Sequence, residues 1–179
     1  MGYTHYWSHD ENLDPSALIR ALNDCRDIAA AVQNRGIILR GPDGTGEPEV
    51  SELGIDLNGD GEESHETFSF PIRGEDAQTA KRLYGCRWAF CKTARKPYDL
   101  AVCAMLLVFK HHLGDQVRLA SDGRRRPDEW LPAERLVKDV LGYQYVMNVH
   151  QGRAAEHLLA KIFGKPGGAV ITNYHFTTT

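Results

Sequence analysis

The sequence predicts an α+β fold in which a mostly antiparallel sheet packs against a central apolar helix and two or three amphipathic helices. The chain has 179 residues, 42% of them hydrophobic, which suits one ordinary domain. Short alternating segments separated by Gly- and Pro-rich turns indicate strands. Residues 97–113 are apolar nearly all round, as in a helix at the centre of a core. We assign residues 1–142 to one domain and residues 143–179 to a C-terminal helix and strand that extend it.

The first half of the chain predicts one long helix among short strands. Residues 3–7 are aromatic and alternate as a strand does. Asp14 and Pro15 suit an N-cap and a first helical residue, and helical apolar spacing continues until Gly36. Further strands are expected at residues 37–39, 54–57 and 66–72, with a Gly- and Pro-rich loop at residues 41–48.

The second half predicts the central helix between two strands. Pro97 suits the first turn of this helix, Asp99 suits its positive end, and Gly114 supplies its stop. The flanking strands are expected at residues 87–91 and 117–120. Two amphipathic helices are expected at residues 128–141 and 152–163, and a last strand at residues 169–176.

Composition narrows the class of protein. The N-terminus has neither a basic nor an apolar segment, so we expect no signal peptide. The longest apolar run, residues 100–109, is about half of the ~20 residues that span a bilayer, so we expect no membrane partner. The cysteines lack CxxC spacing, which favours reduced thiols in a cytoplasmic protein. The net charge of −3 argues against nucleic acid as a partner.

A polar loop between two predicted strands is the first candidate site. Asp56, Asn58 and Asp60 alternate ahead of Gly61, as in an EF-hand calcium loop. The position that needs a bidentate Glu in that motif is Thr67, and the flanks are predicted strands rather than helices. An Asn-Gly hairpin turn explains the same residues.

His65 and Glu66, at the end of this loop, are candidates for general acid–base catalysis. Because adjacent strand residues face opposite sides, only one of the two can enter a given pocket. Asp122 lies in a Ser-Asp-Gly turn after a predicted strand, where it could orient a substrate or a base. A simple type I turn is the alternative interpretation.

Three cations precede the N-terminus of the central helix and form the second candidate site. Lys92, Arg95 and Lys96 can converge where free backbone N–H groups and the helix dipole favour an anion. The segment lacks the Gly-rich cradle of a P-loop, so nucleotide triphosphate hydrolysis is not indicated. A solvated basic turn explains the same cations. The expected ligand-binding residues are Asn58, Lys92, Thr93, Arg95, Lys96 and Tyr98.

A metal-dependent enzyme is a further alternative. His5, His65, Glu66 and Asp122 are the candidate ligands. They lack the helical i,i+4 or CxxC spacing that is typical of metal sites, and the sequence points to no particular cofactor.

Four blocks resemble a family of small uncharacterised proteins from bacteria and their phages. They are Met1–Trp7, Asn58-Gly59 with His65–Phe68, Phe90–Asp99, and Ser121–Gly123. The resemblance covers roughly the first two-thirds of the chain and is most specific around Lys92. It implies a shared site and supplies no reaction.

The sequence therefore predicts an enzyme that acts on a small anionic substrate, which could be nucleotide-like, by acid–base chemistry. Lys92, Arg95 and Lys96 are expected to bind the anion. His65 or Glu66 is expected to be the acid or base, with Asp99 or Asp122 orienting the substrate or base. A non-catalytic protein that sequesters an anionic small molecule is the alternative, and the oligomeric state is left open.

Overall fold

The computed structural model describes residues 3–71, 87–122, 127–143, 145–150 and 169–176. The α+β fold class is confirmed, because helices pack with antiparallel sheets. The helices are α1 (Pro15–Asn34), α2 (Asp99–Leu113) and α3 (Pro127–Leu141). The strands are β1 (Thr4–His9), β2 (Leu39–Arg40), β3 (Glu49–Val50), β4 (Ile55–Gly59), β5 (Phe68–Phe70), β6 (Arg87–Lys92), β7 (Val117–Ser121), β8 (Tyr145–His150) and β9 (Ala169–Phe176).

The described strands form two sheets in which every pairing is antiparallel. The larger sheet has the strand order β6-β1-β7-β9-β8. In the smaller sheet, β4 pairs with β2, β3 and β5. The expected hairpin is confirmed as β4 and β5, with Ile55 opposite Phe70. Through β8 and β9, the last part of the chain contributes two strands to the larger sheet.

Helix α2 lies at the centre of the core, as its all-round apolar pattern predicts. Every residue from Ala101 to Lys110 is buried, and α2 contacts α1, α3 and β7. The smaller sheet packs on it through Phe70, which stacks on Phe109 with ring centroids 3.7 Å apart. The buried Lys110 ammonium donates hydrogen bonds to the carbonyls of Gly114 and Val117, which satisfies its charge at the end of α2.

Helix α1 matches its predicted boundaries because its start signal acts as expected. The Asp14 carboxylate accepts a hydrogen bond from the Ala17 backbone N–H at 2.6 Å, and Pro15 occupies the first turn. No element is predicted from the sequence at β8, which follows the stop at Gly142 almost directly. The helix expected at residues 152–163 lies outside the described residues. In the described part of the chain, no helix is long and apolar enough to cross a bilayer.

Candidate active site

Three strand ends meet at one end of the larger sheet. The antiparallel register places Thr4 of β1 opposite Lys92, at the end of β6, and His5 opposite Ser121, at the end of β7. The Asp122 backbone N–H donates to the Thr4 carbonyl at 2.9 Å, which extends this pairing beyond β7. Most of the candidate residues predicted from distant parts of the sequence therefore come from neighbouring backbone segments.

Asp99, in the first turn of α2, is the hub of a buried hydrogen-bond network. Its Oδ1 accepts a hydrogen bond from His5 Nε2 at 2.7 Å and another from the Thr93 hydroxyl. Its Oδ2 lies 3.8 Å from the Cys103 sulfur, one helical turn further along α2. His5 and Thr93 are fully buried, whereas the Asp99 side chain keeps 19% of its surface exposed. The carboxylate is thus the part of this network that solvent reaches.

The hydrogen bond to Asp99 sets the tautomer of the neutral His5 ring. Because a carboxylate can only accept, Nε2 of that tautomer donates to Asp99, and Nδ1 then carries the lone pair. Nδ1 is buried and has no hydrogen-bond partner among the described residues. Aromatic rings pack edge-on against His5, with Tyr3 at 4.9 Å and Trp130 at 5.2 Å between centroids. His5 therefore presents an unsatisfied basic nitrogen in a largely aromatic environment.

The same cluster is the one group in the described part of the chain that places three His, Cys, Asp or Glu ligand atoms within metal-binding range. It consists of His5, Asp99 and Cys103, with atoms within 4.8 Å of one another. His5 Nε2 and Asp99 Oδ1, however, are 2.7 Å apart, whereas two ligands on a tetrahedral zinc are separated by about 3.3 Å. Burial and the Asp99 charge raise the pKa of the Cys103 thiol in the metal-free protein. The geometry therefore fits a hydrogen-bonded network better than a metal site.

The predicted acid–base pair occupies a different position. Asn58 clamps the loop by accepting from the His65 backbone N–H and donating to the His65 carbonyl, both at 3.0 Å, while the His65 side chain is exposed. The Glu66 carboxylate accepts from the Lys92 backbone N–H at 2.6 Å, which ties the loop to β6. The Tyr98 hydroxyl donates to the Glu66 carbonyl at 2.8 Å, and burial raises its pKa. Asn58, Glu66 and Tyr98 thus hold the loop in place, and the catalytic roles of His65 and Glu66 stay predictions.

The backbone of the cationic turn is largely occupied. The Ala94 N–H donates to the Tyr3 carbonyl at 3.1 Å, and the Lys96 N–H donates to the Thr93 carbonyl at 2.9 Å. The Lys96 ammonium turns away to the Glu62 carbonyl at 2.7 Å. Of the remaining two cations, Lys92 lies opposite Thr4 and faces the side of the sheet away from His5, so an anion near His5 would depend on Arg95.

Arg95 and Asp122 have partners on opposite sides of the sheet. The Arg95 guanidinium donates to Glu129 of α3 at 2.9 Å and lies 4.2 Å from the ring centroid of Tyr3, beside His5. Asp122 instead accepts from the hydroxyl of Tyr6 at 3.1 Å. Because Tyr6 follows His5 in a strand, its side chain faces away from the His5–Asp99 network. Of the predicted residues, Asp99, Thr93 and Arg95 thus lie near His5, and Asp122 does not.

The sequence interpretation missed three residues of this cluster: Cys103, Glu129 and Trp130. Asp99 and Cys103 have i,i+4 spacing on the most clearly predicted helix, so one signal for Cys103 was available. Nothing in the sequence indicates that α3 packs Glu129 and Trp130 over the start of β1.

The comparisons with known proteins find partial relatives. A stretch of 46 residues, 26% of the chain, is 48% identical to a tyrosine phenol-lyase from a Symbiobacterium species, of which it covers 10%. The tyrosine phenol-lyase of Clostridium tetani is 48% identical over 50 residues, 28% of the chain and 11% of that enzyme. The tryptophanase of Hyphomonas neptunium is 46% identical over 46 residues, 26% of the chain and 10% of that enzyme. The chain thus spans about a tenth of these curated relatives. No family model and no solved structure matches.

Proposed function

We propose that the chain is an enzyme that performs acid–base chemistry on a small substrate bearing a carboxylate or phosphate group, with His5 as the base. The supporting observation is that Asp99 holds the Nε2 side of the ring at 2.7 Å while Nδ1 is buried without a partner among the described residues. A histidine held by a carboxylate in this way is oriented, and its imidazolium is stabilised when it takes a proton. His5 is thus the catalytic residue and Asp99 the positioning residue.

In the proposed step, the Tyr3 and Trp130 rings that cover His5 move apart to admit the substrate, and His5 Nδ1 removes a proton from it. For an elimination, the electron pair of the broken C–H bond forms a new double bond, and the leaving group departs from the neighbouring atom with its own bonding pair. The His5 imidazolium then returns the proton to the leaving group. The Thr93 hydroxyl and the Cys103 thiol keep the Asp99 carboxylate aligned throughout.

Elimination is the proposed reaction type because the tyrosine phenol-lyases among the partial relatives are named as lyases. The matches to tyrosine phenol-lyases and to a tryptophanase cover about a quarter of this chain. Tyrosine, which the first name contains, carries a carboxylate. The substrate's anionic group would be held by Arg95, whose guanidinium lies over Tyr3 on the His5 side of the sheet. Removing water from around these charges would strengthen the interaction.

The experiment compares two candidate bases in one background. Purified wild type, His5→Gln and His65→Gln are incubated with tyrosine and with a panel of carboxylated and phosphorylated metabolites, and products are followed by NMR. We expect turnover that His5→Gln reduces by about 10²–10⁴-fold and that His65→Gln leaves within a factor of two. Equal loss in both variants, or loss only in His65→Gln, would reject His5 as the base.

A test that needs no substrate is the tautomer of His5. The ¹⁵N shifts of the ring should show a proton on Nε2 and none on Nδ1 in the wild type. Asp99→Asn should mix the tautomers, because an amide can donate to Nε2 as well as accept from it. A proton found on Nδ1 in the wild type would exclude this nitrogen as the base.

The alternative function is a non-catalytic protein that sequesters the same anionic ligand. In this alternative the same residues bind the anion, and His5 transfers no proton. A tightly bound ligand recovered unchanged after long incubation, with affinity equal in wild type and His5→Gln, would favour this alternative.

A further inference from the structure

Arg95 is held over the start of β1 by an unusual turn. Ala94 and Arg95 have φ angles of 51° and 60°, which are left-handed backbone conformations that residues other than glycine rarely adopt. The bond from the Ala94 N–H to the Tyr3 carbonyl holds this conformation in place. The turn places the guanidinium 4.2 Å from the Tyr3 ring while leaving 55% of the side chain exposed. Arg95 is thus both fixed in position and accessible from solvent.

The ion pair between Arg95 and Glu129 is incomplete. One contact joins the two side chains, Nη2 to Oε1 at 2.9 Å, although a guanidinium and a carboxylate can form two parallel hydrogen bonds. The other carboxylate oxygen, Oε2, is buried and has no partner among the described residues. A buried acceptor without a donor is unfavourable. The pair is therefore weaker than the contact that an unconstrained oxyanion could make with the same guanidinium.

Glu129 also belongs to the wall around the proposed base. Its neighbour Trp130 packs edge-on against His5 at 5.2 Å, and Tyr3, which lies under the Arg95 guanidinium, packs edge-on against the same ring at 4.9 Å. A change in the ion pair therefore acts on two side chains that contact His5.

We propose that Glu129 is an internal competitor for Arg95, and that an oxyanion of the substrate, a carboxylate or a phosphate, takes its place. This inference rests on the proposed anionic substrate and adds Glu129 as the group that the substrate displaces from Arg95. The incoming oxyanion forms the two-point contact that Glu129 does not form. Glu129 then leaves its half-buried position, and Oε2 reaches solvent. Binding of an oxyanion and opening of the wall beside His5 are thus one event.

The experiment measures the affinity of inorganic phosphate and of acetate by isothermal titration calorimetry. Glu129→Gln removes the competing charge. An ion pair of this exposure favours the paired over the unpaired side chains by about two- to fivefold in the equilibrium constant. We therefore expect dissociation constants about two- to fivefold lower in Glu129→Gln than in wild type. Arg95→Gln should weaken binding by more than tenfold. The relative affinities of phosphate and acetate tell which oxyanion the site prefers.

Glu63→Gln is the matched control. Glu63 pairs with Lys96 at 3.7 Å on the same turn, so this variant changes the net charge as Glu129→Gln does without freeing Arg95. Its affinity should equal that of wild type. Equal effects of the two glutamate variants, weaker binding in Glu129→Gln, unchanged binding in Arg95→Gln or no binding of either probe would overturn the proposal. If any of these results were found together with turnover that depends on His5, the inference about Glu129 would fail and the proposed function would not.

Discussion

The three buried cysteines that the structure describes should make the protein sensitive to alkaline pH. Cys25, Cys91 and Cys103 are free and buried, and burial is the largest cause that raises the pKa of each thiol. In the unfolded chain the same thiols ionise near pH 8.5. Above that pH the folded protein therefore binds more protons than the unfolded chain, and the free energy of unfolding falls as pH rises.

The expected loss follows from the number of thiols. Between about pH 7.5 and pH 9.5, each thiol that stays protonated in the folded protein removes about 1.4 kcal/mol of stability, so three remove about 4 kcal/mol. Lys110 opposes this trend, because burial lowers its pKa and its contribution grows as pH rises. That gain begins as pH rises through the lowered pKa of the folded lysine and is complete at the unfolded value of about 10.4, so it offsets part of the loss where the two pH intervals overlap. The loss of about 4 kcal/mol from the thiols is a large part of the roughly 5–15 kcal/mol that stabilises a typical domain.

Urea denaturation followed by circular dichroism, with a reductant present, measures this dependence at several pH values. Cys25→Ala is the control, because it removes one thiol from the buried face of α1 at some cost in stability at every pH. Its free energy of unfolding should fall by about 1.4 kcal/mol less than that of wild type over the same interval. Equal pH dependence in the two proteins would refute the argument that the Cys25 thiol stays protonated.

Three further predictions concern local structure. Gly59→Ala should lower the free energy of unfolding by about 1–3 kcal/mol, since a Cβ there would lie 2.1 Å from the carbonyl oxygen of Glu63; thermal melting measures it. Ala94→Gly should raise the free energy of unfolding by up to about 1 kcal/mol, because glycine adopts a φ of 51° without strain; a loss would contradict the described turn. Asp24→Asn should lower the free energy of unfolding by about 1–3 kcal/mol, because the Asp24 carboxylate accepts a hydrogen bond from Tyr143 at 2.7 Å and pairs with His112 of α2. An unchanged urea midpoint would disprove this link between α1 and α2.

The sequence predicted the fold better than the site, and the reason lies in which interactions are local. The helix start at Asp14 and the all-round apolar pattern of α2 depend on residues close in sequence, so both were predicted correctly. The strand β8 has an alternating pattern, yet it directly follows the stop at Gly142 and was missed. Sequence patterns mark such elements only where their ends are distinct.

The site depends on long-range register, which the sequence does not contain. Alternation in β1 indicates that His5 and Trp7 share a face, but not that this face meets Asp99. The polar neighbours of His65 in the chain favour it as an acid or base, whereas His5 lies in an aromatic-rich strand and was expected only as a metal ligand. The pairing of β1 with both β6 and β7 brings His5 to the cationic turn. Only the tertiary structure reveals this meeting.

Three unfavourable features coincide at this end of the sheet. His5 Nδ1 and Glu129 Oε2 are buried acceptors without partners among the described residues, and each such group costs about 1–3 kcal/mol. Ala94 and Arg95 adopt left-handed backbone conformations, which cost about 1–3 kcal/mol each. Folding alone gives no reason to place these costs together, since apolar residues in place of His5 and Glu129 and glycine at positions 94 and 95 would avoid them. A ligand that donates a proton to His5 Nδ1 and contacts the Arg95 guanidinium with an oxyanion would use the lone acceptor and the left-handed turn. It would also release Glu129 from Arg95. We therefore propose the active site at this cluster rather than at the exposed His65 loop.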